Sequence, residues 1–575
     1  MRNKEIAKIL YEISYYLKTG EIDFKPYVYN RAAIGVEGLE EDIENTYKKG
    51  GIKALENVPG VGKSIAEKIE EYLKTGKIKY YEDLKKKMPF NMAELIAVEG
   101  LGPKKAKILW QKLGVKNLRT LEIMARNGKI RNLPGFGLKT EKNILEGIAF
   151  LKRDRGRFLL GEIMPIVNEV LEKLNKLKWA EKVSPAGSVR RMKETIGDVD
   201  ILVVSKDPKK VMDFFVSLPG VAKVWGKGAT KASLRMRDGF DMDLRVVPER
   251  SYGSALQYFT GSKEHNIATR SIAIEKGLKL NEYGVFRGAK LIAGKTEEDV
   301  YRAIGLPFIP PEIREDQGEI EAAINGKLPE IIDQKDIKGD LHCHSDWDGG
   351  TNSIEKIAKA AMDMGYEYVG IADHTKFLKI ERGLDEKKLE RRNKEIDKLN
   401  SKLEAQGLNF KVLKGCEANI LNDGSLDIEN ETLKNLDFVI AGVHSSFKMQ
   451  KGEMTARLIK AMQNPNVDII SHPTGRIIQH RDEYQIDFDR ILKVAKETRT
   501  VLEINSYPER LDLKDSNIKK AKEAGVKMAV NTDTHEISQL NFMKYGISQA
   551  RRGWAEKKDI INAWPLKELL DSLKK

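Results

Sequence analysis

The back half of this chain carries seven short apolar runs that alternate with helical stretches: DIKGDLHCH, YEYVGIADH, FKVLKGCEA, LDFVIAGVH, VDIISHP, TVLEINS and KMAVNTDTH. Strands separated by helices pair in parallel, and a parallel sheet needs both faces covered, so the pattern calls for a closed βα barrel. Such a barrel gathers its chemistry at the C-terminal strand ends. Six of the runs end in His, Asp or Glu of metal-ligand type; the seventh ends in Glu503 and Asn505, which are weaker candidates. Seven of the eight histidines fall between residues 342 and 535, and only His265 lies outside. A lone histidine is more often a satisfied structural residue. Ligand types recurring at strand after strand reverse that reading. Imidazole and carboxylate together suit Zn²⁺ or Mn²⁺ without choosing between them.

At 575 residues the chain is too long for one core, so three or more compact units are expected. The net charge of +14 points to a polyanionic partner, and its distribution says more than its size. Residues 101–155 hold 14 Lys+Arg against 4 Asp+Glu, too one-sided for an ordinary solvated helical face. Nucleic acid fits that excess. No apolar run reaches membrane length, the N-terminus lacks a signal-peptide core, and Cys343 and Cys416 are too few for a disulfide framework. A cytoplasmic setting without membrane contact is therefore expected.

The basic front contains an internal repeat: LENVPGVGKSIA at 55–66, LIAVEGLGPKKA at 95–106 and IRNLPGFGLKTE at 130–141. Each places a Gly-x-Gly turn (Gly60/Gly62, Gly100/Gly102, Gly135/Gly137) between two helices. The turn aims backbone N–H groups at a point where a phosphate oxygen can sit. One copy would pass for a plain helical hairpin; three resemble helix-hairpin-helix modules, which grip the DNA backbone without reading bases. NVPGVGKSIAEKIEEYLKTG further resembles the lyase domain of DNA polymerase beta. The resemblance places Lys68 at the Schiff-base position, with Lys25, Tyr29, Arg31 and Lys63 near the basic pocket. Ser64 stands where the family often has another lysine.

In AGSVRRMKETIGDVDILVVS, Asp198 and Asp200 alternate along a strand and so share a face. Two carboxylates that close repel, and a divalent cation relieves the repulsion. Asp243 in FDMDLRVVP repeats the pattern with Asp241. In this order the motifs resemble the nucleotidyltransferase palm of family X DNA polymerases, and the likeness runs from residue 1 to about 316. It implies that Asp198, Asp200 and Asp243 are catalytic and hold two Mg²⁺ ions, with Asp241 a bystander. It further implies that Ser188, Arg191 and Gly197 meet the triphosphate. In the thumb motif SALQYFTGSKEHNIATR, Tyr258, Phe259, Gly261, Asn266 and Arg270 match contacts to the nucleotide and nascent pair.

The barrel half resembles the PHP domain, a phosphoesterase with three metals on a distorted (β/α)7 barrel. The likeness assigns His342, His344, Glu417 and Asp533 to one metal, and Glu417, His444 and His472 to a second, with Glu417 bridging. His374 and His535 go to a third. The family usually has Asp or His seven or eight residues after the first His, where this chain has Gly349 and Gly350. Asp348 is the expected third-site ligand, with Asp346 behind it. His480 matches no motif.

Together the halves resemble the bacterial and archaeal PolX architecture. The expected fold is multidomain: α-helical helix-hairpin-helix units, an α+β palm and thumb, and a C-terminal barrel. The expected boundaries are 1–90, 91–155, 156–249, 250–316, a linker at 317–335, and 336–575. The implied activities are gap-filling synthesis in base excision repair and 3′→5′ exonuclease. Abasic-site endonuclease and 5′-deoxyribose phosphate lyase steps are further possibilities. Gapped or nicked duplex DNA and dNTPs are the partners, up to three Mn²⁺ or Zn²⁺ occupy the barrel, and the chain acts as a monomer. The rival reading, a small-molecule phosphatase with a docking front half, leaves the three palm aspartates unexplained.

Overall fold

The computed structural model describes residues 2–573 except 20–24, 38, 40–41, 99–100 and 154–155. In the front, Ile6, Leu10, Ile13, Ile65 and Ile69 close a first helical core, and Leu95, Leu109, Leu121 and Ile144 close a second. The repeated turns lie between helix pairs: Ile43–Glu56 with Lys63–Thr75, Met92–Ile96 with Pro103–Leu113, and Leu118–Arg126 with Leu138–Arg153. Gly60 and Gly135 sit at φ +77° and +76°, backbone that a side chain rarely adopts. Gly62 and Gly102 cap their helices with no side-chain hydrogen bond, which leaves the helix N-termini available to an anion. Gly100 lies outside the described residues.

The palm is a five-stranded sheet of Ala180–Pro185 (β1), Asp198–Ser205 (β2), Val221–Lys227 (β3), Lys231–Met236 (β4) and Asp241–Val247 (β5), in the order β1-β2-β5-β4-β3. Only β2 and β5 pair in parallel, and their register sets Asp198 opposite Asp241 and Asp200 opposite Asp243. The helix Leu160–Asn175 turns Ile163, Val167, Val170 and Leu174 inward at three- and four-residue spacing. Barrel residues Ile478, Leu511 and Tyr545 complete this core, so palm and barrel are packed as one body. The thumb follows, with helices Tyr252–Thr260 and Lys263–Glu275 and the antiparallel strands Lys279–Asn281 (β6), Gly284–Arg287 (β7) and Lys290–Ala293 (β8). The stretch expected to be a linker is packed at both ends: Ile320 and Ala323 belong to the thumb core, and Ile332 to that of the barrel.

The barrel strands are Gly339–Cys343 (β9), Tyr368–Ile371 (β10), Lys411–Lys414 (β11), Glu417–Asn419 (β12), Ile440–Gly442 (β13), Ile469–Ile470 (β14), Val501–Asn505 (β15) and Met528–Asn531 (β16). All neighbours pair in parallel, in two sheets, β9-β10-β11 and β12 to β16. The third apolar run is therefore two strands: its first part pairs with β10 and its second with β13. Gly415 sits at the break, where the Phe438 ring comes within 2.2 Å of any Cβ placed there. First and last strands close through the His344 N–H donating to the Thr534 carbonyl at 2.7 Å. Cys343 and Cys416 are buried free thiols in the barrel wall. No helix among the described residues is long and apolar enough to cross a membrane.

Candidate active sites

At the barrel mouth the ligand-type side chains converge on Glu417, which is fully buried. Its Oε2 faces His374 Nδ1 at 2.8 Å, His342 Nε2 at 3.4 Å and His344 Nε2 at 3.9 Å. Its Oε1 faces His472 Nε2 at 3.0 Å and His444 Nε2 at 3.3 Å, and accepts from Ser471 Oγ at 2.7 Å. Asp533 Oδ1 lies 3.3 Å from His344 Nε2 and 3.7 Å from His342 Nε2. His342 Nε2, His344 Nε2, His374 Nδ1 and Glu417 Oε2 are all buried without a hydrogen-bond partner. Buried polar atoms are rarely left unmet, so four orphans facing one point fit a divalent cation. Backbone strain is stored here too: His472 and Asp533 hold φ of +30° and +55°.

A second layer aims the imidazoles. His342 Nδ1 meets Glu503 Oε1 at 2.7 Å, His344 Nδ1 meets Asp348 Oδ2 at 2.7 Å, and His444 Nδ1 meets Asn419 Oδ1 at 2.7 Å. An imidazole whose Nδ1–H is so engaged turns its Nε2 lone pair to the centre. Glu503, weighed as a weak ligand from sequence, is instead a buried orienting partner; its Oε2 also accepts the His472 N–H at 2.8 Å. Asn419 was missed, although it stands two residues after Glu417 on the same strand face, the spacing that would have exposed it.

Asp348 is placed differently from the expectation. Its Oδ2 accepts from His344 Nδ1 and from the His374 N–H at 2.8 Å, and its Oδ1 accepts from the Gly350 N–H at 3.0 Å. Both oxygens accept hydrogen bonds; the cluster containing His374 and His535 is completed by His344, while Asp348 falls in an adjoining group with His344 and Asp373. Gly349-Gly350 bends the loop so that this carboxylate stands behind the histidine.

In the palm, Asp198 is exposed on β2, while burial first, and then Asp198 and Asp243, push the Asp200 carboxyl up to about 6. Like charges held on one face favour a cation or a proton. Gly187, at φ +60°, lets its turn approach: a Cβ there would lie 2.8 Å from Asp200 Oδ2. Lys231 Nζ reaches Asp243 Oδ2 at 2.8 Å. Asp241 is engaged instead by Trp225 Nε1 and Arg235 Nε, each at 2.8 Å. Ser188 lies on the short helix Gly187–Arg190, and Gly197 sits 3.4 Å, measured from its ideal Cβ, from Arg157 Nη1.

Arg191 Nε is 3.1 Å from Glu315 Oε1, and its Nη1 donates to the Thr260 carbonyl beside Gly261. The Tyr258 and Phe259 rings meet edge-on at 5.1 Å, with the Arg245 guanidinium 4.7 Å over Phe259. Asn266 Nδ2 donates to the Tyr258 carbonyl at 2.7 Å, and Arg270 Nε to the Asn266 carbonyl at 3.0 Å. Lys68 Nζ donates to Ser64 Oγ at 3.0 Å and lies 5.4 Å over the Tyr80 ring, which stacks on Tyr29. Arg31 Nη2 donates to the Thr351 carbonyl of the barrel at 3.5 Å.

The fold and these two clusters define a nucleotidyltransferase joined to a phosphoesterase barrel. The chain matches the DNA polymerase beta thumb at 255–315, a helix-hairpin-helix domain at 1–78, a SAM-like helix-hairpin-helix tandem at 92–149 and the PHP domain at 340–507. It is 38% identical to the DNA polymerase/3′-5′ exonuclease PolX of Bacillus subtilis (strain 168), over 100% of both chains. It is 27% identical to DNA polymerase lambda of Rattus norvegicus, over 45% of this chain and 48% of that one. A probable phosphatase of Thermoanaerobacter sp. (strain X514) is 40% identical over 22% of this chain and 52% of its own. The chain belongs to the family X DNA polymerases that carry a PHP domain, the PolX family.

Asp348→Asn should act through His344. We expect metal affinity to fall about 10–100-fold with the full complement still bound at saturating Mn²⁺, the usual cost of losing an orienting partner. Metal titration followed by mass spectrometry checks this; permanent loss of one ion would return Asp348 to the ligands.

Proposed function

We propose that this chain fills short gaps in duplex DNA during base excision repair, extending primers in the palm and trimming 3′ ends at the barrel mouth. It is a DNA polymerase with a PHP nuclease domain, and both centres depend on divalent metal ions. The observation that carries the division of labour is the pair of ligand clusters that share no residue: Asp198, Asp200 and Asp243 on adjacent palm strands, and the histidines and carboxylates around Glu417 in the barrel. The phosphatase likeness covers only the barrel side and leaves the palm aspartates without a role.

In this reading Asp198, Asp200 and Asp243 hold two Mg²⁺ ions, and the barrel histidines and carboxylates hold up to three Mn²⁺ or Zn²⁺. At either centre the bound cations neutralise phosphate oxygens and activate the attacking oxygen. The chain's own groups do the rest. Ser188, Arg191 and Gly197 receive the triphosphate, Tyr258 and Phe259 pack against the sugar, and Asn266 and Arg270 reach the minor groove. Gly60, Gly62, Gly100, Gly102, Gly135 and Gly137 bring backbone N–H groups to the DNA phosphates. In the barrel, Glu503, Asp348 and Asn419 hold the imidazoles so that phosphodiester oxygens meet a rigid site. The chain works as a cytoplasmic monomer, and its units divide near residues 90, 155, 249 and 316. Abasic-site endonuclease work belongs to the barrel, and removal of 5′-deoxyribose phosphate to Lys68.

Asp243→Ala should abolish nucleotide addition on a gapped duplex and leave 3′ degradation within about twofold, since the residue belongs to none of the barrel ligand groups. Replacing both His342 and His344 should do the reverse, because the pair share one metal. Loss of both activities together in either folded variant would contradict separate centres.

For Lys68, borohydride should trap a covalent adduct with 5′-deoxyribose phosphate DNA in the wild type and none with Lys68→Ala. An undiminished adduct would hand the role to another lysine, Lys63 or Lys25 first.

A further inference from the structure

We propose that Arg552, a barrel residue, is a positioning residue for nucleotide binding in the palm, acting through Glu315 on Arg191. The inference rests on the reading of Arg191 as a triphosphate contact.

Arg552 ends the barrel helix Met543–Arg552, and its side chain is only 2% exposed. Its Nη1 donates to the Arg191 carbonyl at 2.9 Å, to Glu315 Oε1 at 3.0 Å and to the Glu312 carbonyl at 3.3 Å. Its Nη2 donates to Asp515 Oδ2 at 2.6 Å, which anchors the guanidinium to the barrel. One arm of the planar guanidinium, Nη1, thus meets both the backbone of Arg191 and the carboxylate that holds the Arg191 side chain, while the other arm is fixed on Asp515. That carboxylate is shared further: Lys193 Nζ lies 3.5 Å from Glu315 Oε2. Burial would raise the Glu315 carboxyl, but Arg552, Arg191 and Lys193 hold it below the usual range.

Charge decides what this does. Three cations (Arg191, Lys193 and Arg552) stand against two carboxylates (Glu315 and Asp515), so one positive charge is left over beside the Gly187-Ser188 turn. Without Arg552 the balance around Glu315 loses a cation, and Glu315 would hold Arg191 more completely to itself. A triphosphate would then compete with a carboxylate for the same guanidinium. Arg191 also touches the turn that ends the Tyr258-Phe259 helix, through the Thr260 carbonyl. The Ser262 N–H donates in turn to the Arg314 carbonyl at 3.0 Å, one residue before Glu315. The segment that Arg552 braces therefore supports the nucleotide site from the palm side and from the thumb side. The neighbouring Arg190 is held by Thr260 Oγ1 at 2.7 Å and by Glu297 Oε1 at 3.0 Å, which also accepts from Arg314 at 2.6 Å, so Arg552 meets Arg191 directly and Arg190 only through these neighbours.

The test uses the full chain on a single-nucleotide gap. Arg552→Met should raise KM for the incoming dNTP by about tenfold, the scale of one lost charged hydrogen bond, while kcat changes by less than about twofold. Degradation of single-stranded 3′ ends should be unchanged. Arg552→Lys, which keeps the charge and loses the fork, should recover part of the KM; if the methionine variant does not fold, the lysine variant decides alone. A KM equal to wild type in the folded variants, a fall in kcat at constant KM, or an equal fall in nuclease activity would overturn the proposal. Arg191→Ala separates the two layers. A KM raised by Arg191→Ala and unmoved at Arg552 removes this proposal alone. A KM unmoved by Arg191→Ala removes it together with the reading beneath it.

Discussion

One buried carboxylate organises the back half of this molecule. Glu417 turns each oxygen to a different group of histidines, Oε2 to His342, His344 and His374 and Oε1 to His444 and His472, and Oε2 has no hydrogen-bond donor of its own. An ionised carboxylate out of water is costly unless cations surround it. The barrel answers that cost with ligand-type side chains from nearly every strand end. The third apolar run breaks at Gly415 and changes sheet, and its second half, β12, brings Glu417 to the centre. The distortion of the barrel and the geometry of its site are one feature.

The palm solves a similar problem differently. Parallel pairing of β2 with β5 sets Asp200 beside Asp243, and burial first, then the charges of Asp198 and Asp243, raise the Asp200 carboxyl. Here the site is less enclosed than the barrel's, with Asp198 exposed and Asp200 and Asp243 half-buried, which suits a centre that must admit both a primer end and a triphosphate. The two centres share no ligand. Their cores nevertheless meet, because Ile478, Leu511 and Tyr545 of the barrel finish the palm's apolar core. Polymerase and nuclease are thus separate in chemistry and continuous in packing.

Much of this was legible from the residues. Period-two alternation put Asp198 and Asp200 on one face, and ligand types at strand ends marked the barrel mouth, because both signals are local. What escaped was non-local or lay in loops. FKVLKGCEA reads as one run, since nothing in it shows that its halves take different partners. Asp348 has the right chemistry for a ligand, but only the fold shows its bond to His344 Nδ1 and Asp373 close by. Glu503 looked like a weak ligand because only the fold reveals His342 beside it. The supposed linker at 317–335 looked like a connector until Ile320 and Ile332 were seen buried in the cores on either side. Arg552 lies 361 residues from Arg191, beyond any pattern in the chain.

The central claim is that Glu417 bridges metals in the barrel while the palm centre stands apart. Metal-stripped wild type and Glu417→Gln, each reloaded with Mn²⁺ and analysed by native mass spectrometry alongside an Asp243→Ala background to empty the palm, test it directly. The account predicts that Glu417→Gln loses two ions at once, because both of its oxygens face ligand histidines. Loss of one ion or none, in folded protein, would contradict it.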